Sequence, residues 1–427
     1  MIAVRTGLFV VCLSASHLAG GVVQAAPNVT QAQVQVQAAP DGLPAALRAV
    51  IRHHPAVKGQ LAERDARQYA IDSAKAGRLP SLSAQANNLD DQYEQATLRL
   101  QQPLWAFGKI DSDIAQAQAS FSAEQLAVLQ VKRQLIEETA AVYAKVQGIR
   151  QRMLVSAENV SENNKLYRRI ERRQQGELAS EADVRLAYSR LLQAQTLQAT
   201  VESELAVTLA ELQALTQVPV AAKTAVTEEA LRVPSLPMAE RQALEHSAEV
   251  RVKRARLNVA WLDIEKEKVA SLPTVYFRVE QDLLDNPSVS DETRAGLVIE
   301  GSLEGLGLVA RGRVRGAQAH QEAAQQDLEV AMNEVRRRIQ VLMLDRQVKQ
   351  SLMSSQQLAV AAAEATMNSF MRQYETGRKS WVELLNTQRE LTEQRLQLAQ
   401  LRSEWQILSL RVAALTGGLD QLAEVDA

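Results

Sequence analysis

The side chains in this chain that could do chemistry are few in kind. Glu383 and Asn386 stand three apart, so they share one face of a helix. Asp183 follows Gly176 and Ser180, and Glu383 follows Gly377 and Ser380. Both acids therefore fall in a first helical turn, where a serine cap and a negative charge are favoured. Tyr374 and Lys379 flank the second glycine. Carboxylates, an amide, a phenol and an ammonium can attract ions and pair with one another, but they make no nucleophile with its base. The chain has no phosphate-binding loop, no H-E-x-x-H and no nucleophile elbow. His53 and His54 have no partner cluster at ligand spacing, so no metal and no cofactor is expected, and no enzyme. Arg336, Arg337 and Arg338 read as a solvated helix face.

Such groups need elements to hold them, and composition says which kind. Aromatics are 4% of 427 residues, with 11 Pro and 18 Gly, whereas Ala, Gln, Leu, Glu and Arg abound. That is the composition of long helices. A net charge of -2 offers no field for nucleic acid. Residues 1–25 read as a secretory signal: Arg5 is its one charge, Leu8 to Leu18 is apolar or small, and Val23-Gln24-Ala25 suits cleavage. The only cysteine, Cys12, lies inside it. The mature chain then has no disulfide, thiolate ligand or acylated cysteine. No later stretch is long and apolar enough for a spanning helix, so any membrane crossing must be a β-barrel.

The dominant pattern is duplication. Leu79-Pro80-Ser81 recurs as Leu272-Pro273-Thr274, Gly176 as Gly377, Ser180 as Ser380 and Leu215-Thr216 as Leu415-Thr416. The chain divides into a flexible segment (26–42), a first repeat (43–217), a linker (218–237), a second repeat (238–416) and a tail (417–427). Each repeat runs through a medium helix (43–77; 238–271), two strands, a very long helix (108–175; 311–376) and, after a glycine, a return helix.

Strands are read from period-two alternation within hairpins 81–102 and 274–304. Leu82, Ala84 and Ala86, then Leu98 and Leu100, then Val275, Phe277 and Val279, then Leu297 and Ile299 lie on one face. Arg99, Arg278, Glu280, Arg294 and Glu300 lie on the other. An apolar outside over a polar inside suits a lipid-facing barrel. Ile114, Phe121, Val128, Leu135, Val142 and Ile149 repeat every seven residues, as do Leu384, Leu391, Leu398, Trp405 and Val412. These are the seams of antiparallel coiled coils. Four strands cannot close, and eight would fill their own interior. Twelve, from a homotrimer, would leave a conduit in outer-membrane lipid, continued by a palisade of helices.

These features resemble the TolC-type outer-membrane efflux and secretion channels across essentially the whole mature chain. The resemblance is carried by Gln102-Pro103-Leu104-Trp105-Ala106-Phe107-Gly108, by Tyr374 to Asn386 around Gly377, by Ala414-Leu415-Thr416-Gly417, and by the duplication itself. It implies a mostly α fold with a small β part, a trimeric 12-stranded barrel and a periplasmic α-helical barrel. It also implies a passive channel served by a periplasmic adaptor and an inner-membrane ABC or proton-driven transporter.

By the same resemblance Glu383 and Asn386 would line a periplasmic constriction, and Asp183, Tyr374 and Lys379 would latch it shut. The tips at Gly176, Ser180, Gly377 and Ser380 would receive the adaptor, both glycines supplying the positive φ of a helix-ending turn. Trp105 and Phe107 would sit at the membrane–water interface. Type I protein secretion is the leading use. Small-molecule or metal efflux is the alternative, and a periplasmic coiled-coil adaptor or scaffold a more distant one.

Overall fold

A computed structural model describes residues 40–90, 93–282, 293–302 and 304–425. The expected signal peptide and the segment up to residue 39 lie outside the described residues.

The first repeat opens with two helices where one was expected, α1 (Leu43–His53) and α2 (Pro55–Ala76). Pro55 is the cause. It has no N–H to donate and it drives the preceding residue out of the helical region. His54 is extended at φ -65° and ψ 130°, and its Nδ1 accepts from the Ala56 N–H. After β1 (Ser81–Asp90) and β2 (Tyr93–Trp105) come α3 (Lys109–Gln175) and α4 (Glu181–Thr216). The second repeat copies this order, with α5 (Leu236–His246), α6 (Ala248–Val269), β3 (Thr274–Asp282), β4 (Arg294–Glu300), α7 (Leu308–Glu375) and α8 (Trp381–Leu415). Its break falls at Ser247, whose side chain caps α6 by accepting from the Val250 N–H. A short α9 (Asp420–Ala423) ends the described chain. β4 is shorter than expected. Residues 304–307 form a tight turn in which Gly305 and Leu306 take φ +55° and +53°.

The long helices, α3 of 67 residues and α7 of 68, are each roughly 100 Å long at about 1.5 Å per residue. Their seams account for the packing. Ile114, Val128, Leu135, Val142 and Ile149 are buried on α3, and Leu384, Leu391, Leu401 and Val412 on α8. α3 packs on α4 and α7 on α8, and α3 also packs on α8, which joins the two hairpins. Nearer the strands α6 takes the place of α8 between α3 and α7, and α2 flanks α3. The α3–α8 contact is close at Gly148, where an added Cβ would overlap the Ser403 side chain.

The middle of this wall carries the main core, where Leu47, Ile136, Tyr143, Val146, Leu212, Leu410 and Leu419 are almost wholly buried. It gathers the chain's distant parts. Arg133 on α3 pairs with Asp420 at 2.6 Å, both side chains 10% exposed, and donates to the His246 carbonyl. Glu424 takes Arg48 and Arg52 of α1. Asp41 accepts from the backbone of Lys223 and Thr224 in the linker.

The strands form one antiparallel meander, β1-β2-β3-β4. β2 pairs β3 from Thr97↔Asp282 to Gln102↔Phe277, so the two hairpins join into a single sheet. β1 and β4 are its edges.

Candidate functional site

At the tips the two turns are built alike, but not on the two glycines. Gly176 has φ -92°, and the residue in the left-handed region is Glu177 at +60°. In the second repeat Thr376 has φ -92° and Gly377 has +71°. Gly176 is therefore equivalent to Thr376, and the expectation that it supplies the positive φ is corrected. Only Gly377 does so. Both turns close as Schellman motifs, with Leu178 N–H donating to the Arg173 carbonyl and Arg378 N–H to that of Gln373, each at 2.8 Å. Counted from Glu177, the spacing to Asp183 equals that from Gly377 to Glu383.

Each return helix then opens with a capping box. Asp183 accepts from the Ser180 N–H at 2.9 Å and donates its own N–H to the Ser180 hydroxyl at 3.1 Å. Glu383 does the same with Ser380, at 3.0 and 3.3 Å. Its second oxygen takes the Lys379 ammonium at 2.6 Å. That bond first, and then the Ser380 donors, hold the Glu383 carboxyl down to about 2. The Ser380 counterpart, Ser180, likewise lowers Asp183, and the Trp381 side chain contributes by a further hydrogen bond. The Lys379 ammonium also lies 4.3 Å from the centre of the Phe370 ring, a cation–π contact. Asn386 is exposed one turn on.

Tyr374 behaves differently. It is 7% exposed, packed with Leu166, Met367, Leu384, Leu385 and Leu391. Its hydroxyl accepts from the Arg173 guanidinium at 3.0 Å, which links the end of α3 to the end of α7. Within one chain, therefore, Tyr374, Lys379 and Asp183 do not meet among the described residues. Each has another partner, and the cation on Tyr374 is Arg173, which the sequence reading missed. Arg168, Arg169, Arg172 and Arg173 crowd that stretch, and nothing local tells which of them turns toward α7.

Farther from the tips the hairpins are joined by polar contacts. Thr392 on α8 donates to the Asn159 side chain on α3 at 2.9 Å, and Asn163 donates to the same oxygen. Arg395 takes Glu158 of α3 at 2.8 Å and Glu364 of α7 at 2.7 Å.

At the sheet end Trp105 and Phe107 stack at 5.6 Å, with 65% and 42% of their surfaces exposed. Phe107 and Gly108 take φ +50° and +85°, and Leu306 and Gly307 repeat this at +53° and +88°. Leu306, 90% exposed, is thus the second repeat's counterpart of Phe107. The register places Leu82, Leu98, Leu100, Phe277, Val279, Leu297 and Ile299 on one face. Among the described residues no helix is long and apolar enough to cross a membrane, and no group of three His, Cys, Asp or Glu is placed to hold a metal.

Comparison with known proteins agrees with this arrangement. No curated protein sequence matches the chain. Its fold is similar to that of VceC, an outer membrane protein of Vibrio cholerae, at 17% identity and a TM-score of 0.73 over 88% of this chain and 96% of that one. It is also similar to the CmeC outer membrane channel of Campylobacter jejuni, at 12% identity and 0.73 over 90% of each chain. CusC, described in terms of transmembrane channel formation, matches at 16% identity and 0.73 over 88% and 91%. The family model for outer membrane efflux proteins matches residues 46–217 and 240–418, one match in each repeat. The chain is a duplicated member of the outer membrane efflux protein family.

Proposed function

We propose that three copies of this chain form a passive export channel through the outer membrane, continued by a helical tunnel into the periplasm. Substrate reaches it from an inner-membrane pump by way of a periplasmic adaptor. The observation that carries this reading is the open sheet. One face is apolar and exposed, Leu297 at 71% and Ile299 at 70%, and among the described residues no strand pairs with the outer edges of β1 and β4. Lipid accepts such a face but not open edges. Closure with two further copies gives twelve strands and a wet interior. The helices support the same assembly. α7 exposes Val341, Leu344, Val348 and Leu352 at helical spacing, and α4 exposes Leu186, Leu192 and Val207. Apolar stripes of this kind mark contact surfaces.

In this reading the tips are the gate and the adaptor-docking end. Glu383 and Asn386 line the constriction, and the Arg173–Tyr374 contact is part of what keeps the tips together. Trp105, Phe107 and Leu306 sit at the membrane–water interface. The chain acts without catalysis, and the pump supplies the energy. For the substrate we favour polypeptide carried by an ABC exporter, a lean that rests on the reading of residues 1–25, which hold the one cysteine, Cys12, as a secretory signal. Deleting the gene and comparing the secreted proteins with drug and metal tolerance tests this. A polypeptide lost from the medium at unchanged tolerance is expected. Unchanged secretion with lost tolerance would assign the channel to small-molecule or metal efflux instead.

A further inference from the structure

Among the described residues, the charged side chains on the polar face of the sheet fall into ion pairs. Arg99 on β2 donates to Glu280 on β3 at 2.6 Å. Arg278, two residues before Glu280 on β3, approaches the same carboxylate at 3.8 Å and pairs across the next strand boundary with Glu300. Arg294 on β4 pairs with Asp282 at 2.9 Å, and Asp282 also accepts from the Thr97 hydroxyl at 3.1 Å. The register puts all of these on one face, since Arg99 lies opposite Glu280, Glu280 opposite Arg294 and Thr97 opposite Asp282. β1 adds Ser81, Ser83 and Gln85 to that face and no charge up to residue 85. Three arginines thus meet three carboxylates. Each of these six groups has a partner of opposite sign, and among them Glu280 serves two arginines.

Pairing changes what a solute passing this face feels. A ring of unpaired like charges makes a pore selective for ions of the other sign. Adjacent opposite charges leave only local dipoles, whose fields die away within the screening length of about 8–10 Å at ordinary salt. We propose that this ladder makes the stretch of the conduit lined by these described strand residues charge-neutral, and that Glu280, which faces two arginines, is its central acid. The proposal rests on the reading of this face as a channel lumen. It assigns to that stretch solutes of either sign and zwitterionic or mixed-charge chains, without preference by charge. Any selectivity of the whole duct then comes from elsewhere along it.

Because removing an acid and removing a base change the net charge in opposite directions, single substitutions should act with opposite signs. Glu280→Gln leaves Arg99 without its carboxylate and Arg278 with one fewer, adding one net positive charge per copy. Arg278→Gln removes a cation, leaves Glu300 without its arginine and leaves Glu280 only Arg99, adding one net negative charge per copy. The double variant Arg99→Gln with Glu280→Gln has no net change.

The experiment is the reversal potential of purified full-length channel in a planar lipid bilayer under a potassium chloride gradient, each variant read against the wild type. A shift toward chloride of about twofold in permeability ratio is expected for Glu280→Gln, from three added charges facing a screened aqueous lumen. A similar shift toward potassium is expected for Arg278→Gln, and the wild-type ratio for the double variant. Conducting single variants with the wild-type ratio would overturn the proposal, as would a shift of the double variant equal to that of Glu280→Gln. If Glu280→Gln does not assemble, Arg278→Gln and the double variant decide alone. A wild-type protein that inserts no conductance at all refutes the channel reading itself, and the ladder proposal with it.

Discussion

The Arg173 guanidinium, at the end of one long helix, donates to the buried hydroxyl of Tyr374 at the end of the other. It also lies 5.5 Å from the centre of that ring. The contact ties together two hairpins whose helices otherwise reverse separately, α3 into α4 and α7 into α8. Tyr374→Phe removes only the acceptor, and a single hydrogen bond from an exposed guanidinium is worth about 0.5–1 kcal/mol. Tyr374→Ala also empties a packed site among Leu166, Met367 and Leu384, at about 3–5 kcal/mol. Denaturant unfolding of the two variants should separate these values. Equal losses would mean that the hydroxyl, not the ring, carries the contact.

Glu177 occupies a backbone conformation that its counterpart fills with Gly377. A non-glycine residue there is strained by about 1–2 kcal/mol. Glu177→Gly is therefore expected to raise stability by about 1 kcal/mol, after the extra freedom that glycine gives the unfolded chain. Gly377→Ala should lower it by a similar amount. A calorimetric scan checks both, and two shifts of the same sign would show that the two turns are not equivalent.

Gly148 of α3 packs directly against Ser403 of α8. A methyl at Gly148 would overlap the Ser403 side chain while standing 3.5 Å from its Cα, an ordinary contact. Gly148→Ala should then cost about 1–3 kcal/mol by overpacking. Ser403→Gly alone should cost about 1 kcal/mol of helix propensity. Combined, they should cost less than their sum, a coupling that a double-mutant cycle measures. Strict additivity would place the strain elsewhere.

Glu383 gives the start of α8 a defined pH response. Its carboxyl is lowered from 4.5 to about 2, by Lys379 first and then by Ser380. A group depressed on folding contributes stability that is present above its unfolded value and lost as pH falls through the folded one. The cap should therefore persist from pH 7 to about 5, weaken below that and be gone near pH 2. Hydrogen exchange of the first turn of α8, corrected for intrinsic rates, follows this. In Lys379→Met the loss should move to higher pH, and an unchanged profile would show that Lys379 is not the main cause.

How far the sequence could be read is instructive at particular residues. The heptad series from Ile114 to Ile149 and the alternation in 274–280 identified helix and strand, because burial on one face imposes a period whatever the partner is. Pro55 marks a break that a single helix over 43–77 overlooks, although its missing N–H acts locally. The break at Ser247 carried no such mark, and only the packing of α5 and α6 around it makes it evident. The tip turns were misaligned because glycine is a permissive residue and not an obligatory one. Gly176 drew attention while the conformation belonged to Glu177. The partners of Tyr374 and Lys379 were not legible either. One, Arg173, lies 201 residues from Tyr374 on another helix, and the other, Glu383, falls to the constriction by resemblance while Lys379 falls to the latch, although the two stand four residues apart.

The central claim is that the duct belongs to an assembly and not to one chain. The measurement that tests it most directly is the mass of the detergent-extracted outer-membrane particle, with detergent contribution subtracted, taken on the sample that is then reconstituted for single-channel recording. The account predicts three chains, about three times the mass of one polypeptide, which is 47.0 kDa at full length, and a conducting pore in the same preparation. A monomeric particle, or a trimer that inserts without conductance, would contradict it.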